Sequence, residues 1–237
     1  MFDFSKQIVL ITGASGNLGR ATGRAFQEAG ATLVLAARNL DHLEAAFPDL
    51  ADAGDHLFVT VDLTDPGTVE AMAYEVIHHL GRVDVLVNIA GGFQMGPAVH
   101  ETPLEQWDKM MNLNLRSVIH TSRALVPHML EQGHGAIINI GASRAAQGRA
   151  KMAPWAVSKD GVLRLTESMS AELKMKGIRV NCVMPDTLDT PENRQAMPKA
   201  NFDKWASPEA VAEVICFLAS DAALVVHGSG IPVSGPG

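Results

Sequence analysis

Residues 8–19 have the sequence IVLITGASGNLG, in which a short apolar run leads directly into a glycine-rich turn. The run Ile8–Thr12 is apolar on both faces, which is typical of a strand covered on each side by helices. Gly13, Gly16 and Gly19 permit a tight turn, close approach of the backbone to a pyrophosphate, and close packing of the following helix. An ordinary strand-to-helix turn is the alternative, but a second strand about 20 residues later favours a dinucleotide site.

Short apolar runs alternate with longer segments of helical period along the chain. The predicted strands cover residues 8–12, 32–37, 56–61, 83–89, 135–141, 178–184 and 230–233. The predicted helices cover residues 17–30, 65–80, 103–132, 154–176 and 207–219. Helix-start and helix-stop signals agree with these bounds, namely Asp65-Pro66, Ser207-Pro208, Gly81, Gly133 and Gly177. The pattern predicts an α/β fold, a Rossmann-type doubly wound three-layer αβα sandwich around a seven-stranded, mostly parallel sheet.

The length of 237 residues fits one domain over residues 1–237, with an irregular, proline-containing stretch at about 185–206 expected to be a substrate loop. The chain has 19 Lys and Arg against 26 Asp and Glu, a net charge of −7, which argues against nucleic-acid and anionic-membrane partners. Cys182 and Cys216 lie far apart, so we expect a reducing, cytoplasmic compartment and no disulfide framework. We expect no signal peptide, no membrane span and no metal site.

The end of the second predicted strand bears on the choice of cofactor. Sites that prefer NAD usually carry an acid there for the ribose 2′-hydroxyl, whereas this chain has Arg38, which would hold a 2′-phosphate. A solvated arginine after a strand is the alternative interpretation. The third strand delivers Asp62 and Leu63 to the expected adenine edge, although an aspartate that caps the next turn is a competing interpretation. The sequence therefore favours NADP(H) over NAD(H).

These features together resemble the short-chain dehydrogenase/reductase family over essentially the whole chain. The matching segments are Thr12–Gly19, Asp62-Leu63, Asn88–Gly91, Asn114-Leu115, Ile137–Ser143, Trp155-x-x-x-Lys159 and Pro185. A second, local resemblance links residues 188–205 to dihydropteridine reductase and related bacterial reductases. It rests on Leu188-Asp189-Thr190-Pro191, Asn193-Arg194, Met197-Pro198, Phe202 and Trp205.

The family resemblance implies hydride transfer between a nicotinamide and a small-molecule carbonyl or alcohol. Family members place a serine and a tyrosine hydroxyl on the reacting oxygen, with the tyrosine as general acid or base. The matching lysine, here Lys159, lowers the tyrosine pKa and binds the nicotinamide ribose, and Asn114 matches an asparagine that holds a proton-relaying water. Trp155 stands at the tyrosine position, and its indole N–H donates hydrogen bonds but does not titrate usefully. A factor of about 10² to 10⁴ in rate should then be missing or supplied elsewhere.

Other positions also depart from the family pattern. The serine spacing falls on Ala142, so either Ser143 serves through a shifted loop or the site lacks this donor. Asn17 stands where ordinary members have glycine, and asparagine tolerates left-handed backbone better than most residues. Asp186 replaces a glycine, and it would be a substitute proton donor if desolvated or otherwise a turn residue in water. The only tyrosine, Tyr74, falls in a helical segment away from the strand ends.

The predicted catalytic residues are Asn114, Ser143, Trp155 and Lys159. The predicted cofactor-binding residues are Gly13, Ser15, Asn17, Leu18, Gly19, Arg38, Asp62, Leu63, Asn88, Ala90, Gly91, Lys159, Pro185, Leu188 and Thr190. Three functions stay open: an NAD(P)(H)-dependent oxidoreductase, an NADP(H)-binding protein without redox turnover, and a non-redox enzyme for elimination or isomerisation. The resemblance also implies a homodimer or homotetramer.

Overall fold

The computed structural model describes residues 2–51 and 54–236, so the outermost residues of the predicted domain, Met1 and Gly237, and residues 52–53 lie outside the described part. Seven strands form one sheet in the order β3-β2-β1-β4-β5-β6-β7, and every neighbouring pair is parallel. The strands are β1 (Ile8–Thr12), β2 (Thr32–Ala37), β3 (Leu57–Thr60), β4 (Val85–Asn88), β5 (Gly135–Ile140), β6 (Ile178–Pro185) and β7 (Gly230–Val233). The predicted α/β fold is thereby confirmed.

Helices cover both faces of this sheet. They are α1 (Asn17–Glu28), α2 (Leu40–Ala46), α3 (Pro66–Leu80), α4 (Leu104–Met111), α5 (Ser117–Gln132), α6 (Ala153–Leu173), α7 (Pro191–Ala196) and α8 (Pro208–Ala219). One core cluster joins the sheet to α1, α2 and α8, and a second joins it to α3, α5 and α6. Within the described residues, no helix combines the length and apolarity that crossing a membrane requires.

Strand β1 shows why the apolar runs form this sheet. Val9 and Ile11 belong to one core cluster, whereas Ile8 and Leu10 belong to the other. Successive side chains of a strand point to opposite faces, so an uninterrupted apolar run is the sequence of a strand buried on both sides.

The predicted helix boundaries also have local causes. The Asp65 carboxylate accepts a hydrogen bond from the Gly67 N–H at 2.8 Å, and the Ser207 hydroxyl accepts one from the Ala210 N–H at 3.1 Å. Gly81, Gly133 and Gly177 adopt φ values of 80°, 75° and 79° after the helices that they end. Only glycine enters this left-handed region without a steric cost, so these three stop signals are confirmed.

The structure corrects the helix predictions in three places. Helix α2 was not predicted, and the predicted helix 103–132 is divided by a π-helical turn over Asn112–Arg116. The stretch expected to be irregular at 185–206 contains the short helix α7, whose start is capped by the Thr190 hydroxyl. Short helices carry too few residues for a clear period, and π turns depend on packing, so neither stands out in a sequence.

Candidate functional site

A cleft of about 460 Å³ opens at the carboxyl ends of the central strands, where doubly wound sheets bind ligands. Most of the predicted cofactor-binding residues line it. They are Gly13, Ser15, Asn17, Leu18, Gly19, Arg38, Asp62, Leu63, Ala90, Gly91, Leu188 and Thr190. Six further residues line it that are not among the predicted cofactor-binding residues, although Gly16 and Ile89 lie in the predicted motifs; the six are Gly16, Ala37, Val61, Thr64, Ile89 and Leu113. The other predicted residues, Asn88, Lys159 and Pro185, are buried behind this lining.

The glycine turn is packed so closely that side chains are excluded from it. A Cβ atom on Gly13 would lie 2.8 Å from the backbone of Ala90, and one on Gly19 would lie 2.2 Å from the carbonyl oxygen of Gly13. Gly13 also has a φ of 68°, a left-handed value. The turn therefore brings the N-terminus of α1, with its free N–H groups, directly to the cleft, which suits a phosphate group.

Asn17 does not need the left-handed backbone that its comparison with glycine suggested. It is the first residue of α1, and the described non-glycine residues with positive φ are Lys6 and Lys151. Its side-chain oxygen accepts a hydrogen bond from Arg20, and its amide donates one to the Glu192 carboxylate, both at 2.8 Å. Asn17 thus ties the glycine turn to α7.

The adenine end of the cleft carries Arg38 and Asp62. Arg38 is exposed after β2 and lines the cleft. The Asp62 carboxylate accepts hydrogen bonds from the Thr64 hydroxyl at 2.7 Å and the Thr64 N–H at 2.9 Å. These bonds, followed by the charge of Arg38, lower the pKa of Asp62. Asp62 therefore caps a turn and borders the cleft at the same time.

Lys159 is buried at the inner end of the cleft. Its side chain lies on α6, and its Nζ donates a hydrogen bond to the Ile140 carbonyl oxygen at 2.7 Å. Burial lowers the pKa of Lys159 to about 8, because the charged amine loses hydration. A Cβ atom on Gly91 would lie 3.0 Å from this Nζ, so the backbone that lines the cleft passes directly beside the lysine.

Asn114 forms hydrogen bonds to both the loop after β4 and helix α6. It lies in the π turn and is fully buried. Its Oδ1 accepts a hydrogen bond from the Gly92 N–H at 2.8 Å, and its Nδ2 donates to the Gly92 carbonyl at 3.1 Å. The same Nδ2 donates to the Ser158 hydroxyl at 2.9 Å, and that hydroxyl donates to the Trp155 carbonyl at 2.8 Å. Ser158 was not predicted, because its bond to Asn114 joins two segments that are distant in the chain.

Trp155 packs in an apolar cluster instead of facing open solvent. Its exposed fraction is 8%, and the cluster, hereafter the Trp155 cluster, consists of Met110, Ala142, Ala145, Trp155 and Ala156 with Leu113 and Met152 packed against it. Phe93 meets Trp155 edge to face, with ring centroids 5.2 Å apart and planes at 83°. Leu113 also lines the cleft, so the Trp155 cluster adjoins it.

The position of Ala142 bears on the open question about Ser143. Ala142 has extended backbone and packs in the Trp155 cluster, while Ser143 begins a short 3₁₀ turn and is partly exposed. This arrangement favours Ala142 over Ser143 as the residue that faces Trp155.

The remaining ionisable candidates are placed unfavourably for chemistry at the cleft. Asp186 is exposed and forms an ion pair with Arg144, so it is not the desolvated acid that a substitute proton donor requires. Tyr74 is 73% exposed on α3 and stacks on His78, outside the cleft lining. Across residues 2–51 and 54–236, no group of three or more His, Cys, Asp or Glu side chains is arranged to hold a metal ion.

Comparison with known proteins gives a consistent result. The family model for short chain dehydrogenases matches residues 7–201. A 3-oxoacyl-[acyl-carrier-protein] reductase from Thermotoga maritima is 33% identical over 97% of this chain and 96% of its own length. A cis-4-hydroxycyclohexanecarboxylate dehydrogenase from Sinomonas cyclohexanicum is 35% identical over 98% of this chain and 96% of its own length.

A solved structure shows the same similarity at the level of the fold. The gluconate 5-dehydrogenase from Burkholderia cenocepacia, in complex with NADP and tartrate, has a TM-score of 0.89 to this chain at 29% identity, covering 98% of this chain and 95% of that one. The family match spans most of the chain, and it includes the glycine turn and Lys159 described above. This protein belongs to the short-chain dehydrogenase family.

Proposed function

We propose that this protein is an NAD(P)(H)-dependent oxidoreductase that transfers hydride between a nicotinamide and a carbonyl or alcohol group of a small molecule, with NADP(H) as the preferred cofactor. The observation that carries this proposal is one cleft that runs from Arg38, past the glycine turn, to Gly91, whose backbone passes beside the buried Lys159. The two relatives and the solved structure compared above are named for reactions on alcohol or ketone groups, which supports the same reaction class.

The residues of the cleft fit a dinucleotide. The glycine turn has no room for side chains, and the N-terminus of α1 would hold the pyrophosphate. Arg38 would pair with a 2′-phosphate, Asp62 and Leu63 would border the adenine, and Lys159 would bind the nicotinamide ribose. When bound, the nicotinamide supplies or accepts the hydride. Asn114 holds the backbone of Gly92 and thereby positions the loop that leads to Phe93.

Trp155 is the proposed departure from the family's chemistry. In this proposal it occupies the position of the catalytic tyrosine, and Ala142 occupies the position of the serine. The indole N–H donates a hydrogen bond to a developing oxyanion but does not supply the proton. Turnover of ordinary ketones is then expected to be slower by a factor of about 10² to 10⁴.

The direct test is NADPH consumption with a panel of ketones and quinones, using the wild-type protein and Trp155→Tyr. Turnover of at least one substrate, with a gain for ketones in Trp155→Tyr, is the expected result. No turnover by either protein with any substrate would contradict the oxidoreductase proposal.

A second candidate function is an NADP(H)-binding protein without redox turnover. The observation that favours it is the apolar surround of Trp155, in which Ala142 replaces a hydroxyl donor. It predicts binding of NADPH by isothermal titration calorimetry with no consumption in the presence of any substrate. Absence of cofactor binding at millimolar concentration would contradict both candidates.

The assembly and the substrate loop are part of the same proposal. By likeness to its family, the chain, as a single domain, would form a homodimer or homotetramer. The stretch 188–205, with its local similarity to dihydropteridine reductases, would cover the substrate. Size-exclusion chromatography with light scattering tests the first expectation.

A further inference from the structure

Phe93 and Trp155 form an aromatic corner beside the cleft. Trp155 is covered to all but 8% of its surface, whereas Phe93 is 57% exposed and stands nearly perpendicular to it. Phe93 lies two residues beyond Gly91, which lines the cleft and passes beside Lys159. A flat ring that stacks on Phe93 would lie, as Phe93 does, nearly perpendicular to the indole, an arrangement that aromatic rings favour.

The polar groups at this corner can stabilise a negative oxygen, but they are poorly arranged to protonate one. Side chains of the Trp155 cluster are apolar apart from the indole N–H, which only donates hydrogen bonds. The Ser158 hydroxyl is fully buried, and it already donates to the Trp155 carbonyl. Lys159 brings a positive charge, but its ammonium is directed at the Ile140 carbonyl.

The basicity of the product separates two classes of hydride acceptor. Reduction of a simple ketone produces an alkoxide, a strong base that must receive a proton during the reaction. Reduction of a quinone produces a hydroquinone monoanion, which is a phenolate-type oxyanion and a far weaker base. Phenols ionise near pH 10, as tyrosine does, so a nearby cation and one hydrogen-bond donor stabilise such an anion sufficiently.

We propose that the substrate of this site is a planar quinone, which stacks at the Phe93–Trp155 corner and is reduced to its hydroquinone monoanion without receiving a proton from the protein. This inference rests on the proposed oxidoreductase function. The C4–H bond of the reduced nicotinamide breaks, and the hydride forms a new O–H bond at one quinone oxygen. Its electron pair is delocalised through the ring onto the other oxygen, which becomes the phenolate, and the nicotinamide is oxidised. The monoanion leaves the site and takes its proton from water.

The experiment compares menadione with 1-tetralone, two fused bicyclic acceptors of similar size of which only the first gives a phenolate product. We expect kcat/KM with NADPH to be at least 100-fold higher for menadione in the wild-type protein. In Trp155→Tyr, the value for 1-tetralone should rise at least 10-fold and that for menadione should change less than threefold. The solvent deuterium isotope effect on menadione reduction should be close to 1.

A binding measurement makes the test independent of turnover. Calorimetry with menadione and oxidised NADP⁺ should give a Kd that Phe93→Ala weakens about fivefold to tenfold, a stacking contribution. Tyr74→Ala, a change in another exposed aromatic side chain outside the cleft, should leave this Kd unchanged. Measurement of NADP⁺ binding to each variant shows that the cofactor site is intact.

Three outcomes would overturn the inference. Comparable kcat/KM values for the two acceptors in the wild-type protein would show that a group such as Lys159 supplies the proton. An isotope effect well above 1 with menadione would have the same meaning. If Phe93→Ala leaves the Kd for menadione unchanged, the quinone does not stack on Phe93. Failure to bind NADP⁺ would instead refute the proposed function itself.

Discussion

Asn114→Ala should destabilise the protein by about 2 to 4 kcal/mol. The variant loses the two hydrogen bonds to the Gly92 backbone and the one to the Ser158 hydroxyl. Each intramolecular hydrogen bond contributes about 1 kcal/mol, and a buried group left without a partner costs about 1 to 3 kcal/mol. Water can reach the partly exposed Gly92, whereas Ser158 is fully buried, so an intermediate total is expected.

Urea denaturation followed by circular dichroism measures this loss, and the melting temperature should fall by roughly 5 to 15 °C. Asn112→Ala is the matched control, because Asn112 lies in the same π turn but bonds only the exposed Arg116 side chain at 2.8 Å. Its effect should stay within about 0.5 kcal/mol, as for ordinary surface changes. If Asn114→Ala lowers the free energy of unfolding by less than 1 kcal/mol, or if both variants lower it equally, the bonds of Asn114 to Gly92 and Ser158 do not stabilise the fold as argued.

Three further changes test the cofactor site. Arg38→Asp should weaken NADPH binding by about 10-fold to 100-fold and NADH binding far less, since a charged hydrogen bond contributes about 1.5 to 3 kcal/mol; equal losses in calorimetry would show that Arg38 does not select the cofactor. Gly19→Ala should abolish binding of both cofactors, because its Cβ would lie 2.2 Å from the Gly13 carbonyl oxygen; binding within twofold of wild type would contradict the packing argument. The pKa of Lys159 is lowered from 10.5 to about 8, so the folded protein releases this proton before the unfolded chain does and gains stability as pH rises through that window. Lys159→Met should therefore lose stability relative to wild type between pH 8 and 10.5 in urea denaturation, and a constant difference would refute the shift.

Much of the fold could be predicted because its signals are local. The burial of β1 on both faces is indicated by an uninterrupted apolar run. The end of helix α3 at Gly81 depends only on the backbone freedom of that one glycine. Helix α2 was missed because it has only seven residues. Its start did carry a signal, since the Asn39 side chain accepts a hydrogen bond from the His42 N–H at 3.2 Å.

The candidate site divides in the same way. The glycines of the turn and the Trp155–Lys159 spacing are short-range patterns, and they led to most residues of the cleft. The contact of Phe93 with Trp155 and the bond of Asn114 to Ser158 join segments that are distant in the chain. Such pairs depend on how α6 and the loop after β4 are packed, so a single sequence carries no pattern for them.

The hydrogen bond between Asn17 and Glu192 has a consequence for how a dinucleotide would come and go. It connects two residues 175 positions apart, one at the phosphate end of the cleft and one on the small helix above it. Leu188 and Thr190, just before that helix, form part of the cleft wall. Phosphates that bind at the turn would bring negative charge towards the Glu192 carboxylate, and the repulsion would weaken its hydrogen bond with Asn17. Cofactor exchange would then be coupled to movement of α7 and of the residues just before it.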